Sequence, residues 1–435
     1  MNNDNLSLKL PTKQNLLPVA TSFVESSAKS LGLADDKSLA LTLASEEIFM
    51  HVSKAGRASN DLEIVCSKGS YFIRVDFLFD DDEFDLQAFN LTATISFDNE
   101  DDLDKMGLLL ASRSVDRFEF VRERNHPARL TLIKEKTYPS FQAAPSITVK
   151  PMTEYAIRSP EPAEIKLFAE LILQNYPIQS YPPFFRYPGK VADMIRGSDC
   201  NAVLALDSCG SIGGGIAWRR EGLNTAESFG PYLFGQPPES PMGERLLEGC
   251  LNTLARTHCL NLVSRFATSP WYRNHFEILG ALTVWDGEEK REQQACFRQM
   301  QEDPGCRVWC HPELKDFLES EYKRLLLPRE MVESTVQGEE QNKCAVLSTQ
   351  IDRTTKSAVL FPVMPGSDDE KVLADHLTLF EKEGIRSIFF EMDLAVAWHS
   401  SFTHPLLSLG FIPRLIMPNF GSGDVVIFQM DANRL

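Results

Sequence analysis

The chain has 435 residues, too many for one core, and carries a net charge of −17, from 61 Asp and Glu against 44 Lys and Arg. That balance excludes a general nucleic-acid or anionic-membrane surface, both of which need a basic footprint. At 43% hydrophobic and 24% charged residues the whole chain is expected to fold. No apolar run reaches the roughly 18 residues of a membrane span, and the opening MNNDNLSLKLPTKQN lacks the basic-then-apolar layout of a secretion signal. A cytoplasmic protein is expected, with no contact to membrane or nucleic acid. The nine cysteines fit that compartment: they are odd in number, scattered, and mostly set in apolar runs such as LEIVC at Cys66 and LLEGCL at Cys250. Cys306, Cys310 and His311 do not have zinc-site spacing, so no metal site is expected.

Three segments follow in chain order, at 1–137, 147–327 and 343–435, separated by a Pro- and Ala-containing stretch and by the acidic VESTVQGEEQNK. The first opens on a strand-like LSLKLP. Helical apolar spacing covers 16–31 and 37–52, the latter with Leu39, Leu41, Leu43, Ala44, Ile48 and Val52 as its apolar face. DLEIVCS, YFIRVDFLF and ARLTLIKE read as strands, with a helix over 103–115. Helices on one face of a sheet are the expected arrangement. The second segment reads as strand ITVKP, helices over 160–175 and 189–196, strands AVLALD, SIGGGIAWRR and AESFGPYLFG, a helix over 242–257, strand NLVSRFAT, a helix through 277 and a strand over 281–285. The third gives strand AVLFPVM, a helix over 368–383, strand SIFFEMD, a short helix over 405–409, and the pair FIPRLIMP and DVVIFQMD. Segments two and three share a closing pattern of helix, LGA or LGF, and strand, which hints at related folds.

In LTLASEEIFMHV, Glu47 and His51 are four residues apart, which puts both on one helical face. The strip resembles the first motif of the GHKL (histidine kinase-like) ATP-binding family, in its anti-sigma-factor serine/threonine kinase branch. The resemblance implies a Glu beside the phosphates and, one turn on, an Asn ligating magnesium; here Glu47 keeps the first place and His51 takes the second. Imidazole suits softer metals than magnesium. FDDDEFD resembles the second motif, with Asp80 in the adenine-reading place, Asp81 where a glycine is expected, and Phe84 and Asp85 retained. LDKMGLLLASRSVDRF resembles the glycine-rich lid ahead of a helix, with only Gly107 kept. ATP with Mg2+ is the implied cofactor. The acids at 80–85 and 100–104 oppose it, since two unit charges at about 4 Å repel by about 4 kcal/mol at an effective dielectric near 20.

Segment two resembles the GNAT acyltransferase fold in ITVKPMT, IQSYPPFFRYPGKVADMI, the strand pair around Gly210 and NHFEILGA. The resemblance implies acetyl-CoA, its pyrophosphate held by a glycine loop at a helix N-terminus. That loop falls on Pro238-Glu239-Ser240-Pro241-Met242-Gly243, where Met242 and Gly243 open the helix and Pro238 and Pro241 replace residues expected to be Arg and Gly. Proline has no N–H to offer an anion. Glu227 stands where a base for the amine is expected, and Tyr272 near the place of the thiolate donor. The plainer alternatives are an exposed strand carboxylate for Glu227 and a packed aromatic for Tyr272. Tyr181, Phe184, Phe185 and Tyr187 either line an acceptor cleft or close a core. Segment three resembles the C-terminal half of another such unit, placed to extend the sheet or cover its edge.

The fold expected is therefore a multidomain α+β and α/β chain: a GHKL-type helix-on-sheet sandwich, a GNAT-like mixed sheet with helices, and a GNAT-like half unit. The function expected is that of a bacterial signalling regulator with eroded nucleotide and acyl-CoA sites. It would work by binding a protein partner, such as a sigma factor or an anti-sigma antagonist. The alternative is an acyl-CoA-dependent N-acyltransferase controlled from the first segment, and a third reading is an active serine/threonine protein kinase.

Overall fold

A computed structural model describes residues 5–55, 61–80, 86–93, 100–122, 128–142, 147–237, 240–266, 275–334 and 343–431, the side chains of 55 and 100–105 excepted. The chain divides into two compact units. One takes residues 1–137, 340–349 and 361–379, and the other takes 138–339, 350–360 and 380–435. Among the described residues, no helix is long and apolar enough to cross a membrane.

Over residues 1–137 the first unit has β1 (Leu6–Pro11), α1 (Leu17–Ser30), α2 (Asp35–Ala55), β2 (Asp61–Lys68), β3 (Phe72–Phe79), α3 (Glu100–Ser114), β4 (Arg117–Val121) and β5 (Ala128–Glu135). The strands form an antiparallel sheet in the order β1-β2-β3-β5-β4. Alternation along β3 turns Ile73, Val75, Phe77 and Phe79 inward, where they meet Leu41, Ala44, Ile48, Phe49 and Val52 of α2 in one core. Each such large apolar side chain, fully buried, stabilises the fold by roughly 1.5–3 kcal/mol. Leu39 and Leu43, expected on that face, are instead 55% and 49% exposed. Two-residue spacing carries them about 200° round the helix from Leu41 and away from the core. The Asn90 side chain holds residues 345–347 in this unit, donating from Nδ2 to the Ala345 carbonyl and accepting at Oδ1 from the Leu347 N–H, both at 2.8 Å.

The second unit begins with β6 (Ala156–Arg158), α4 (Pro162–Asn175), α5 (Pro188–Arg196), β7 (Cys200–Leu206), β8 (Ile212–Glu221), β9 (Thr225–Leu233), α6 (Met242–Leu254), β10 (Asn261–Phe266), β11 (Glu277–Asp286) and β12 (Glu289–Gln299). These strands make a seven-stranded mixed sheet in the order β11-β12-β10-β9-β8-β7-β6, in which β9 and β10 are parallel and joined through α6. The expected strand ITVKP is a correction: 147–151 lie outside any strand, and the edge is the three-residue β6. The N–H groups of Ile147 and Met152 are satisfied by the side chains of Gln174 and Gln236, which replaces a ladder. Glu277, expected at the end of a helix, opens β11.

The chain continues through β13 (Cys306–Cys310), α7 (Lys315–Arg324) and β14 (Arg329–Glu333). There the buried Arg329 guanidinium is held by Asp303 and Asp424. It then passes into β15 (Val346–Asp352), β16 (Ser357–Met364), α8 (Asp369–Lys382), β17 (Ser387–Asp393), α9 (Thr403–Ser408), β18 (Phe411–Met417) and β19 (Val425–Met430). Their sheet runs β15-β16-β17-β19-β18, with β16 parallel to β17, and β17, β19 and β18 successively antiparallel.

This second succession repeats the first. β8-β9-β10-β12-β11 and β15-β16-β17-β19-β18 share one order, one parallel pair and one helix joining that pair. The hydrogen bonds agree too. The N–H groups of Leu260 and Asn261 both reach the Asn224 carbonyl, as those of Arg386 and Ser387 both reach that of Lys356. Asn261 pairs with Thr225, as Ser387 pairs with Ser357. The hint of related folds in segments two and three thus has a topological basis. The edge strand β18 lies against the edge strand β11, where Gly280 leaves room for the Arg414 carbonyl.

Candidate functional site

In the first unit α2 places Glu47 and His51 one turn apart, both half-buried. The packing of α3 on α2 brings Gly107 directly against Glu47: a Cβ on Gly107 would stand 1.9 Å from the Glu47 Oε2. Gly107 is therefore inside α3, its bare backbone meeting a carboxylate, and not in a lid ahead of a helix as expected. Its N–H is engaged along the helix axis, whereas a phosphate cradle needs N–H groups that converge on an anion. Asp80 is exposed just past the end of β3. Phe84 and Asp85 lie outside the described residues. The structure thus joins Glu47 to Gly107 and places His51 one turn along.

In the second unit Glu227, on β9, is fully buried, so the exposed-carboxylate alternative does not hold. Arg265 of β10 grips both its oxygens, with Nε to Oε1 at 2.6 Å and Nη2 to Oε2 at 3.2 Å, and Arg219 of β8 stands 3.7 Å from Oε2. The third arm of Arg265, Nη1, reaches Glu391 Oε1 on β17 at 3.2 Å. Arg219 also pairs with Glu221. Aromatic faces flank the guanidiniums, Phe184 and Phe229 at Arg219 and Phe420 at Arg265. Burial raises the Glu391 carboxyl against the pull of Arg265. Burial, with Glu227 adding to it and Arg219 opposing, pushes Glu221 up to about 7.

Met242 and Gly243 open α6 and are both buried. Met242 packs its Cε and Sδ against Gly213, so its side chain fills core volume beside β8. Its N–H is taken by Ser240 Oγ at 3.3 Å, and Pro241 contributes no donor. Pro238, Glu239 and Tyr272 lie outside the described residues. Phe184 and Phe185 stack at 4.9 Å and meet Phe229 edge-on, while Phe185 also meets Tyr232, so this aromatic set closes a core. Tyr181 is buried and Tyr187 is 37% exposed.

No family model matches the chain, and no curated protein matches it. Solved structures similar to it include the aminoglycoside 6'-N-acetyltransferase of Enterococcus faecium, at 13% identity over 34% of this chain and 99% of that one, TM-score 0.28. The GNAT superfamily phosphinothricin acetyltransferase of Sinorhizobium meliloti, solved with acetyl-CoA, is similar at 18% identity over 33% of this chain and 85% of that one, TM-score 0.26. A GNAT family N-acetyltransferase of Escherichia coli, solved with CoA, is similar at 14% identity over 36% of this chain and 86% of that one, TM-score 0.27.

The chemistry of the site follows from its charges. A base must take a proton, and a guanidinium clamped on both oxygens stabilises the carboxylate without one. Arg219, Arg265, Glu221 and Glu391 were not singled out from the sequence. Their signal was a charged residue inside an apolar strand, as in NLVSRF and SIFFEMD.

Proposed function

We propose that this chain is a binding and regulatory protein built on an acyltransferase-like frame, and not a catalyst. The observation that carries this reading is the two-point clamp of Arg265 on Glu227, which commits the candidate base to an ion pair. The filled space at Met242 and the donor lost at Pro241 support it from the coenzyme side. The first unit acts as the partner-binding arm, toward a sigma factor or an anti-sigma antagonist. What supports that part is the sequence resemblance at Glu47 and Asp80.

Calorimetry on the full chain tests the reading. Acetyl-CoA is expected to give no saturable heat, and ATP with magnesium none that Asp80→Asn removes. Saturable acetyl-CoA binding lost in Gly243→Glu would overturn it for the second unit. That result would favour an acyl-CoA-dependent N-acyltransferase, a second reading supported by the parallel pair β9 and β10 with a helix N-terminus following β9, a place where α/β sheets hold ligands.

A further inference from the structure

The repeated strand order makes β10 and β17 corresponding strands, and side chains from the two, Arg265 and Glu391, meet at 3.2 Å. Around that contact the sheets that carry β10 and β17 are joined at several further points. The Thr225 hydroxyl and the Asn261 amide reach the Pro418 carbonyl. Gly222 (φ +58°) abuts the backbone of Asn419 and Gly421. The Gln429 side chain forms two bonds to the backbone of Thr283, donating from Nε2 and accepting at Oε1. Arg386 of the second sheet grips Glu288 in the turn of the first.

The charges at the centre of this junction do not balance. β8 supplies Arg219 and Glu221, β9 supplies Glu227, β10 supplies Arg265 and β17 supplies Glu391, while β7 adds only the buried Cys200 thiol. Burial keeps that thiol protonated, its pKa pushed up to about 12. Three carboxyls therefore face two guanidiniums. Each guanidinium neutralises one carboxylate, so the third carries an uncompensated charge in a largely enclosed place, and a proton is the simplest way to remove it.

We infer that the cluster of Arg219, Glu221, Glu227, Arg265 and Glu391 is a proton-sensitive joint that holds the two sheets together most firmly when one of its carboxyls is protonated. Glu227 is gripped at both oxygens, so the proton is assigned to Glu221 or Glu391, the two whose pairing is partial. Burial raises both carboxyls, which agrees with that placement. For an acid held above its unfolded value, the stabilising contribution is complete below the unfolded pKa and is lost as pH rises through the folded one. For Glu221 that window runs from the ordinary 4.5 to about 7.

Thermal unfolding and amide-exchange protection factors over β11 and β18 test the joint in the full chain, from about pH 5.5 to about pH 8. The wild type is expected to lose a few degrees of Tm, and protection at β11 and β18, across that rise. Glu221→Gln and Glu391→Gln are each expected to flatten the loss. Glu221 ends its strand, so its variant keeps the test open if Glu391→Gln fails to fold. A wild type with no such loss, or a pH slope unchanged in Glu221→Gln, would overturn the proposal.

Discussion

Arg265 on β10 and Glu391 on β17 lie on corresponding strands in two successive sheets of one fold plan, and their side chains meet across the junction. The same guanidinium holds Glu227, the carboxylate that sequence reasoning put forward as a base. One arginine thus binds three strands, β9, β10 and β17.

Breaking that arrangement from the arginine side is the more damaging direction. Arg265→Met leaves the Glu227 carboxylate buried without its partner and is expected to cost about 3–5 kcal/mol. Replacing both members together, Arg265→Met with Glu227→Met, restores part of that stability, because Glu227 is then no longer stranded, while Glu391 still loses its contact with Arg265. Urea denaturation of the single and double variants measures the coupling. Additive losses would mean that the two side chains do not depend on each other.

At Gly107 two opposing effects separate cleanly. Alanine is the better helix former by about 1 kcal/mol, but its Cβ would displace the Glu47 carboxylate. Gly107→Ala is expected to stabilise the chain by about 1 kcal/mol in a Glu47→Ala background, and to give no gain or a loss in the wild type. Equal effects in both backgrounds would show that Glu47 does not rest on Gly107.

His399, beside the ring of Trp398, is pushed down to about 3 by burial, the backbone of Asp393 opposing. The unfolded imidazole takes its proton near 6.5 while the folded one refuses it, so this contribution is present above 6.5 and is lost as pH falls toward 3. The direction is opposite to that of Glu221. Tm measured between about pH 4 and about pH 7 is expected to fall less steeply with acidification in His399→Phe than in the wild type; parallel curves would count against it.

Much of the element plan was legible because apolar period follows burial: α1, α2, β3, β7, α8 and β17 all stand where spacing put them. What escaped had physical reasons. β12, EKREQQACFRQ, is polar over most of its length because its first half is exposed, and it paired with β11 unannounced. Leu39 and Leu43 were counted into a face that two-residue spacing cannot share. Site residues fared differently by kind. Glu227 was visible as a carboxylate in an apolar strand, but its partners Arg265 and Glu391 are 38 and 164 residues away in sequence, a proximity that only the sheet order creates. Gly107 could be noted as a glycine, while its contact with Glu47 needed two helices to be packed together.

The role proposed for Glu227 is in the fold and not in an acyl transfer. CoA release from acetyl-CoA, in the presence of a panel of primary amines, tests it most directly when followed in the wild type and in Glu227→Gln alongside their stability. No CoA release is expected from either protein, with a lower Tm for the variant. CoA release by the wild type that Glu227→Gln abolishes at unchanged Tm would contradict it.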